Sequence, residues 1–196
     1  MRINKKIGDL AFKCRGLFWG LFAAGILIFP GRFHIARFLA GALLLVWGQY
    51  IRWRAAGFIP KYRTEVIGAP VLVTWGPYRW VRNPLYMGNF IMGMGWAAMC
   101  GWGWMLAFMT AFALLYCLLV IPSEEQFLAD KFKEKYEAYR AVVPPLFPYP
   151  RRGFPPASPD ERPFDAGAAW SMEIHSMRMN LIITAVIIAR LYFTTR

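Results

Sequence analysis

Residues 83–123 read NPLYMGNFIMGMGWAAMCGWGWMLAFMTAFALLYCLLVIPS, and no Asp, Glu, Lys or Arg interrupts them before the Glu pair that follows. The run is about forty residues long, twice the ~20 that carry a helix across a bilayer. Gly101-Trp102-Gly103-Trp104 sits at its middle. Glycine permits a tight reversal there, and paired tryptophans suit a headgroup boundary. The run predicts a hairpin of two membrane-crossing helices.

Working outward, two shorter uncharged runs precede the hairpin. Residues 16–29 follow a basic start, MRINKKIGDLAFKCR, and end at Pro30-Gly31; residues 38–51 lie between Arg37 and Arg52. A secretory signal begins similarly, but no small-residue cleavage site follows, so the first run reads as a retained span. Both runs are short, and flanking Arg and Lys must snorkel to the surface. Downstream, residues 179–189 are uncharged and belong to a longer helix starting near Ala168. Arg190 inside that helix must snorkel or pair. The intervening GFPPASPDERPFDAGA, residues 153–168, reads as an extended tether without a core of its own. The expected fold class is all-α: a polytopic membrane helix bundle of about five spans. Its organisation is a membrane domain over residues 1–152, a Pro-rich tether over 153–168, and a C-terminal transmembrane helix over 169–196.

Composition agrees. Of 196 residues, 58% are hydrophobic and 17% charged, against about 45–50% and about 25% in soluble domains. The net charge of +12 falls between apolar runs, not along one soluble face, which argues against a nucleic-acid partner and for anionic headgroups. Arg2, Lys5, Lys6, Lys13 and Arg15 precede the first run. Arg52, Arg54, Lys61, Arg63, Arg79 and Arg82 follow the second, and Lys131, Lys133, Lys135, Arg140, Arg151 and Arg152 follow the hairpin. Alternate loops hold only Arg32 and Arg37. With the basic segments on one side, the N-terminus is expected in the cytoplasm. Cys14, Cys100 and Cys117 are widely spaced and His34 and His175 stand apart, so neither a disulfide framework nor a metal site is indicated.

Two segments, both on the expected cytoplasmic side, carry chemistry. In residues 73–95, VTWGPYRWVRNPLYMGNFIMGMG, Gly76-Pro77 is turn chemistry and Asn83-Pro84 opens a helix with proline near its first position. One reading is an interfacial anchor, with Tyr78, Trp80 and Tyr86 in the headgroups and Arg79 and Arg82 on phosphates. The other joins Arg82 to the new helix N-terminus as an anion site. Gly93 and Gly95 clear one stretch of that helix for a packed helix or a flat ligand, and packing is favoured. In residues 122–148, PSEEQFLADKFKEKYEAYRAVVPPLFP, Ser123 and Gln126 resemble a capping box. Leu128, Phe132, Tyr136, Tyr139 and Val143 share one apolar face, predicting an amphipathic surface helix stopped by Pro144-Pro145. Glu124 and Glu125 either cap that helix or meet a cation: Arg82, or a bound sulfonium or ammonium.

At these residues the chain resembles the isoprenylcysteine carboxyl methyltransferase and phospholipid methyltransferase families. The resemblance rests on Gly76-Pro77-Tyr78 and Arg82-Asn83-Pro84-Leu85-Tyr86-Met87-Gly88, then Glu124-Glu125, Phe132, Tyr136, Tyr139, Val143-Pro144 and Pro148. It covers roughly residues 70–150. It implies a cytosol-facing site for S-adenosylmethionine (SAM), contacted by Asn83, Gly93, Gly95, Glu124, Glu125 and Tyr136, without a metal. Glu125 would meet the cationic part of SAM and Arg82 its carboxylate. Arg82, Tyr86 and Glu124 would form the catalytic group, with Glu124 or Tyr136 the base for an amine acceptor. The acceptor would be a lipid-like molecule reaching the site from the bilayer, a phospholipid amine or a prenyl-type carboxylate or thiol. The carboxyl methyltransferases usually carry His where Asn83 stands, and a glycine often follows the Phe where this chain has Lys133. The first two runs and everything after about Arg152 match nothing in those families. A non-catalytic subunit that keeps the scaffold, holding a partner membrane protein through the last helix, is the alternative. A sterol-type reductase is a third reading, revealed by NADPH binding. The absence of organellar signals and the compact size suit a bacterial inner membrane.

Overall fold

In the computed structural model of the protein, described for residues 5–29, 31–60, 71–149 and 153–194, the regular elements are all helical. They are α1 (Lys5–Ile28), α2 (Ile35–Ala56), α3 (Pro84–Cys100), α4 (Trp102–Phe112), α5 (Ile121–Phe132), α6 (Glu134–Val142) and α7 (Ala166–Thr194). A 3-10 turn at Gly76–Arg79 precedes α3, and a π-helical stretch, Ala113–Val120, joins α4 to α5. Arg2, Lys61, Arg63, Arg151 and Arg152 of the basic segments, and Pro30 of the first turn, lie outside the described residues. So do the side chains of Lys5, Lys6 and Lys13.

A helical reversal forms where the uncharged run places it. Gly101, at φ 129°, ends α3 and α4 begins at Trp102; a side chain is rarely tolerated at that backbone angle, so glycine makes the reversal possible. Among the described residues two helices are long and apolar enough to cross a bilayer by length and composition, Trp102–Phe132 and Ala166–Tyr192. Cys14–Ile28 is a shorter apolar helix. α3 has 17 residues, about 26 Å at 1.5 Å per residue, a little less than the ~30 Å hydrocarbon core. α2 carries Arg52 and Arg54 in its last turns.

The second arm departs from the sequence reading. Ser123 does not start a helix; it lies inside a continuous one running from Trp102 to Phe132. The π stretch explains how proline is accommodated. Ile121 N–H bonds back to the Tyr116 carbonyl, five residues away, and the wider turn receives Pro122, which has no N–H to contribute. The expected single amphipathic helix is also interrupted, because Lys133, at φ 48° and ψ −122°, separates α5 from α6. Its apolar face survives the break: Tyr136, Tyr139 and Val143 are buried together, with Leu128 and Phe132 against them.

α2 and α3 pack closely through glycines. A Cβ on Gly48 would stand 2.7 Å from the Gly88 carbonyl oxygen, and one on Gly95 would stand 2.7 Å from that of Gly41. Both helices thus present glycine at a seven-residue interval, which lets the backbones touch where side chains would hold them apart. α1 closes the other side with aromatic packing. Phe18, Trp19 and Phe22 meet Phe108, and Trp19 donates its indole N–H to the Tyr116 hydroxyl at 2.9 Å.

Residues 153–165 form no regular element and turn at residues 159–160, where the Glu161 N–H donates to the Ser158 carbonyl at 3.1 Å; the segment is anchored at its end. Phe164 occupies the space beside Gly57, its ring 4.7 Å from that of Trp53 with the Arg54 guanidinium also 4.7 Å from its centre. Asp165 then caps α7, accepting the Ala168 N–H at 2.8 Å, so α7 begins at Ala166, two residues before the expected start. Arg190 pairs as its position demands, donating to the Leu27 carbonyl at 3.2 Å.

Candidate active site

The two chemistry-bearing segments meet at one end of the hairpin, laced together by backbone and side chains. Asn83, expected extended ahead of Pro84, instead sits at φ −124° and ψ 60°; the N–H groups of Arg82 and Asn83 donate to the carbonyls of Pro144 and Pro145 at 2.8 and 3.1 Å. Proline carbonyls that follow α6 thereby take up the donors that precede α3. The Tyr139 hydroxyl adds a third tie, donating to the Tyr78 carbonyl at 2.7 Å.

Arg82 and Glu125 form a two-pronged ion pair. Arg82 Nε and Nη2 reach Glu125 Oε1 and Oε2 at 2.8 and 2.9 Å, with side-chain exposures of 10% and 14%. The remaining Arg82 nitrogen, Nη1, donates to the carbonyls of Val143 and Arg140 at 2.6 and 3.0 Å. All three nitrogens of the guanidinium are engaged by protein groups. The motif resemblance implies Arg82 on a ligand carboxylate; the geometry instead makes it the tie that binds α5 to the end of α6. Asn83, at the N-cap position of α3, does not cap. Its amide donates to Glu125 Oε1 at 3.2 Å and to the Pro145 carbonyl at 2.9 Å.

Glu124 faces the other way, into the bundle. It accepts the Tyr86 hydroxyl at 2.6 Å, and Arg15 Nη1 lies 3.5 Å from that hydroxyl. The adjacent carboxylates therefore serve two subsites, Glu125 with Arg82 and Asn83, and Glu124 with Tyr86 and Arg15. One helical step of about 100° separates them.

A cleft of about 510 Å³ opens beside the first subsite, lined by Arg82, Pro122, Glu125, Gln126, Ala129, Asp130, Glu137 and Arg140. Its wall carries both signs of charge. Arg140 is half-exposed and 3.5 Å from Glu137, a pair too open to hold it tightly. The fully buried Tyr136 carries a hydroxyl without a hydrogen-bond partner among the described residues. Burial and the nearby Glu125 carboxylate push its phenol above the ordinary value, with Arg82 and Arg140 partly opposing them. Tyr136 thus stays protonated, with its hydroxyl hydrogen uncommitted among the described residues. Burial also raises the phenols of Tyr139 and Tyr78.

Of the residues expected at the site, Arg82, Asn83, Tyr86, Glu124 and Glu125 are tied in by direct bonds, and Tyr136 lies in the field of Glu125 and Arg82. Gly93 and Gly95 stand apart from them. A Cβ at Gly93 would meet the Phe108 ring at 2.0 Å, and Gly95 abuts the backbone of α2. Arg140 and Arg15 join the site without a motif to announce them. Arg140 lies four residues after Tyr136, hence on the same helix face, and that spacing is the signal the sequence offers. Arg15 is one basic residue among five in its segment, and its approach to Tyr86 depends on how α1 packs.

The phospholipid methyltransferase family profile matches residues 36–135, which hold the Arg82–Glu125 pair and the whole hairpin. The chain belongs to this family. It is 30% identical over 142 residues to a methanethiol S-methyltransferase of Crocosphaera subtropica, covering 68% of this chain and 47% of that protein. A protein-S-isoprenylcysteine O-methyltransferase of Schizosaccharomyces pombe is 32% identical over 53% of this chain and 48% of its own. A steroid 5-alpha-reductase of Arabidopsis thaliana is 31% identical over 56% of this chain and 42% of its own. The chain spans about half the length of the curated relatives it matches. No solved structure matches.

Proposed function

We propose that this phospholipid methyltransferase family member transfers a methyl group from SAM to a lipid-like acceptor, using the Arg82–Glu125 cleft for SAM and the Glu124–Tyr86 subsite for the acceptor. The observation that carries the reading is the cleft itself. It has both charge signs on its wall and a volume within the ~300–1,000 Å³ range of small-ligand sites; Tyr136, buried behind it, feels the charges of the lining residues Glu125, Arg82, Arg140 and Glu137.

Those residues fit a zwitterionic ligand. Arg140 supplies the cation for a carboxylate, since Arg82 is fully engaged. Glu125, Asp130 and Glu137 supply anions for an ammonium or sulfonium. Tyr136 donates its hydroxyl. Bound SAM would supply an electrophilic methyl group. The chain then has to align the acceptor and exclude water, which can contribute most of the rate for a transfer of this kind. Glu124, held by Tyr86, is placed to accept a proton from an amine acceptor. A carboxylate or thiolate acceptor needs no such base. Gly93 and Gly95 act in this reading by packing, and a ligand at Gly93 would require the Phe108 ring to move.

Placement follows the charge pattern. About five spans, with α6 on the membrane surface and the N-terminus and site facing the cytoplasm of a bacterial inner membrane, put Arg15, Arg82 and Arg140 on one side. The exposed apolar residues of α2 and α7, among them Leu43, Val46, Leu181 and Ile182, would face lipid. In this arrangement residues 1–152 form the methyltransferase unit, 153–168 the strap and 169–196 the added span.

Incubating the purified chain with methyl-labelled SAM and native membrane lipids tests the reading. Label is expected in a lipid or small apolar fraction. No transfer, together with binding of NADPH, would favour the reductase-like relatives; no transfer and no SAM affinity, with co-purification of a larger complex, would favour an accessory subunit.

A further inference from the structure

Outside the cleft, a second buried polar cluster joins α2, α3 and α7. Glu173 of α7 is 3% exposed at its side chain, and Arg52 of α2 is 16% exposed. Arg52 Nε and Nη2 grip Glu173 Oε2 and Oε1 at 2.8 and 2.6 Å, while Gln49 Nε2 donates to Oε2 at 3.0 Å. The third Arg52 nitrogen, Nη1, donates to Asn89 Oδ1 on α3 at 2.7 Å. The aliphatic stem crosses the bare surface of Gly88, where a Cβ would stand 2.5 Å from Arg52 Cγ. Two turns along α7, Asn180 donates to Gln49 and approaches Met92 Sδ at 3.1 Å.

We infer that Glu173 is a positioning residue for methyl transfer: through Arg52 it fixes the first turns of α3, which carry Asn83 and Tyr86. The inference rests on the function proposed above and adds to it. Three observations support it. Asn89 lies three residues after Tyr86 on one short helix, and Gly88 directly precedes it. The link is directional, because a guanidinium fork held on three sides fixes rotation and register as apolar contacts do not. It also crosses the family boundary: Arg52 and Asn89 fall within residues 36–135 and Glu173 falls beyond them. An apolar pair would dock α7 at similar or lower cost, so the buried charges point to a demand for register over adhesion.

The test uses the full chain in detergent with SAM and vesicles of native membrane lipids. Arg52→Met combined with Glu173→Met keeps bulk and removes both charges, and Asn89→Ala cuts the link to α3 while leaving the ion pair intact. Each variant is measured for thermal stability, SAM affinity, kcat, and hydrogen exchange of residues 82–89. In both, kcat is expected to fall about ten- to hundredfold, as misplacement of a site by about 1 Å would cause. SAM affinity should stay within about threefold, and exchange of 82–89 should speed up about tenfold. If the double variant unfolds, Asn89→Ala decides. Wild-type kcat and exchange in Asn89→Ala, or in a stably folded double variant, overturn the inference. A wild-type chain that neither binds nor turns over SAM defeats the proposed function instead, and the exchange measurement still reports whether Glu173 orders α3.

Discussion

Arg82 and Glu125 hold one another through two parallel hydrogen bonds of 2.8 and 2.9 Å, joining the start of α3 to α5 across 43 positions of sequence. Breaking a fully buried pair from one side leaves an uncompensated charge, which costs about 3–5 kcal/mol; this part-buried pair beside an open cleft should cost less. Arg82→Ala would also orphan the Val143 and Arg140 carbonyls. Thermal denaturation should therefore show Arg82→Ala destabilised, and Glu125→Gln, which keeps an acceptor for the guanidinium, less so. Equal stability of Arg82→Ala and wild type would mean that the pair does not hold the site.

Tyr136 makes a prediction of opposite sign for stability and for binding. Its buried hydroxyl has no hydrogen-bond partner among the described residues, and such a group costs about 1–3 kcal/mol. Tyr136→Phe should raise the melting temperature slightly while weakening SAM binding several-fold. A variant both less stable and unchanged in affinity would show that the hydroxyl serves the fold.

Lys133 occupies a backbone conformation, φ 48° and ψ −122°, that side chains rarely adopt. Strain of this kind costs about 1–3 kcal/mol. Glycine has no such penalty but loses more freedom on folding, so Lys133→Gly should stabilise the chain by about 1 kcal/mol. Chemical denaturation of the two proteins checks it; a destabilised Lys133→Gly would contradict the strain argument.

The glycine contacts between α2 and α3 predict intolerance to bulk. Gly48→Leu or Gly95→Leu should destabilise by more than the ~1–3 kcal/mol typical of an overpacked core, because the obstructing atoms include backbone. Gly103→Ala, where nothing lies within 4 Å, is the control and should stay close to wild type. Circular dichroism melts of the three variants separate these outcomes.

Sequence periodicity reaches as far as local patterns do. The hairpin and its turn are legible because a long uncharged run broken by glycine at its centre reads as two apolar helices joined by a reversal. The apolar face of α5 and α6 is legible from spacing alone. Two features are not. Ser123 and Gln126 form a convincing local cap, yet the π stretch carries the helix through Pro122, a backbone adjustment without a composition signature. Nothing local pairs Arg52 with Glu173, 121 residues apart, because that contact depends on where α7 docks. At the site, the two motifs single out Arg82, Asn83, Tyr86, Glu124 and Glu125, and the fold brings all five to one end of the hairpin. The division of labour between the carboxylates, one bound to Arg82 and one to Tyr86, depends on the rotation of α5 and so has no local signal.

Calorimetric titration of SAM into the purified chain, beside a folded Glu125→Gln variant, bears most directly on the cleft. The wild type is expected to bind and the variant to bind at least about tenfold more weakly, a difference of about 1.4 kcal/mol. A variant that binds as tightly as wild type, or a wild type that gives no heat at all, would contradict the assignment of this cleft to SAM.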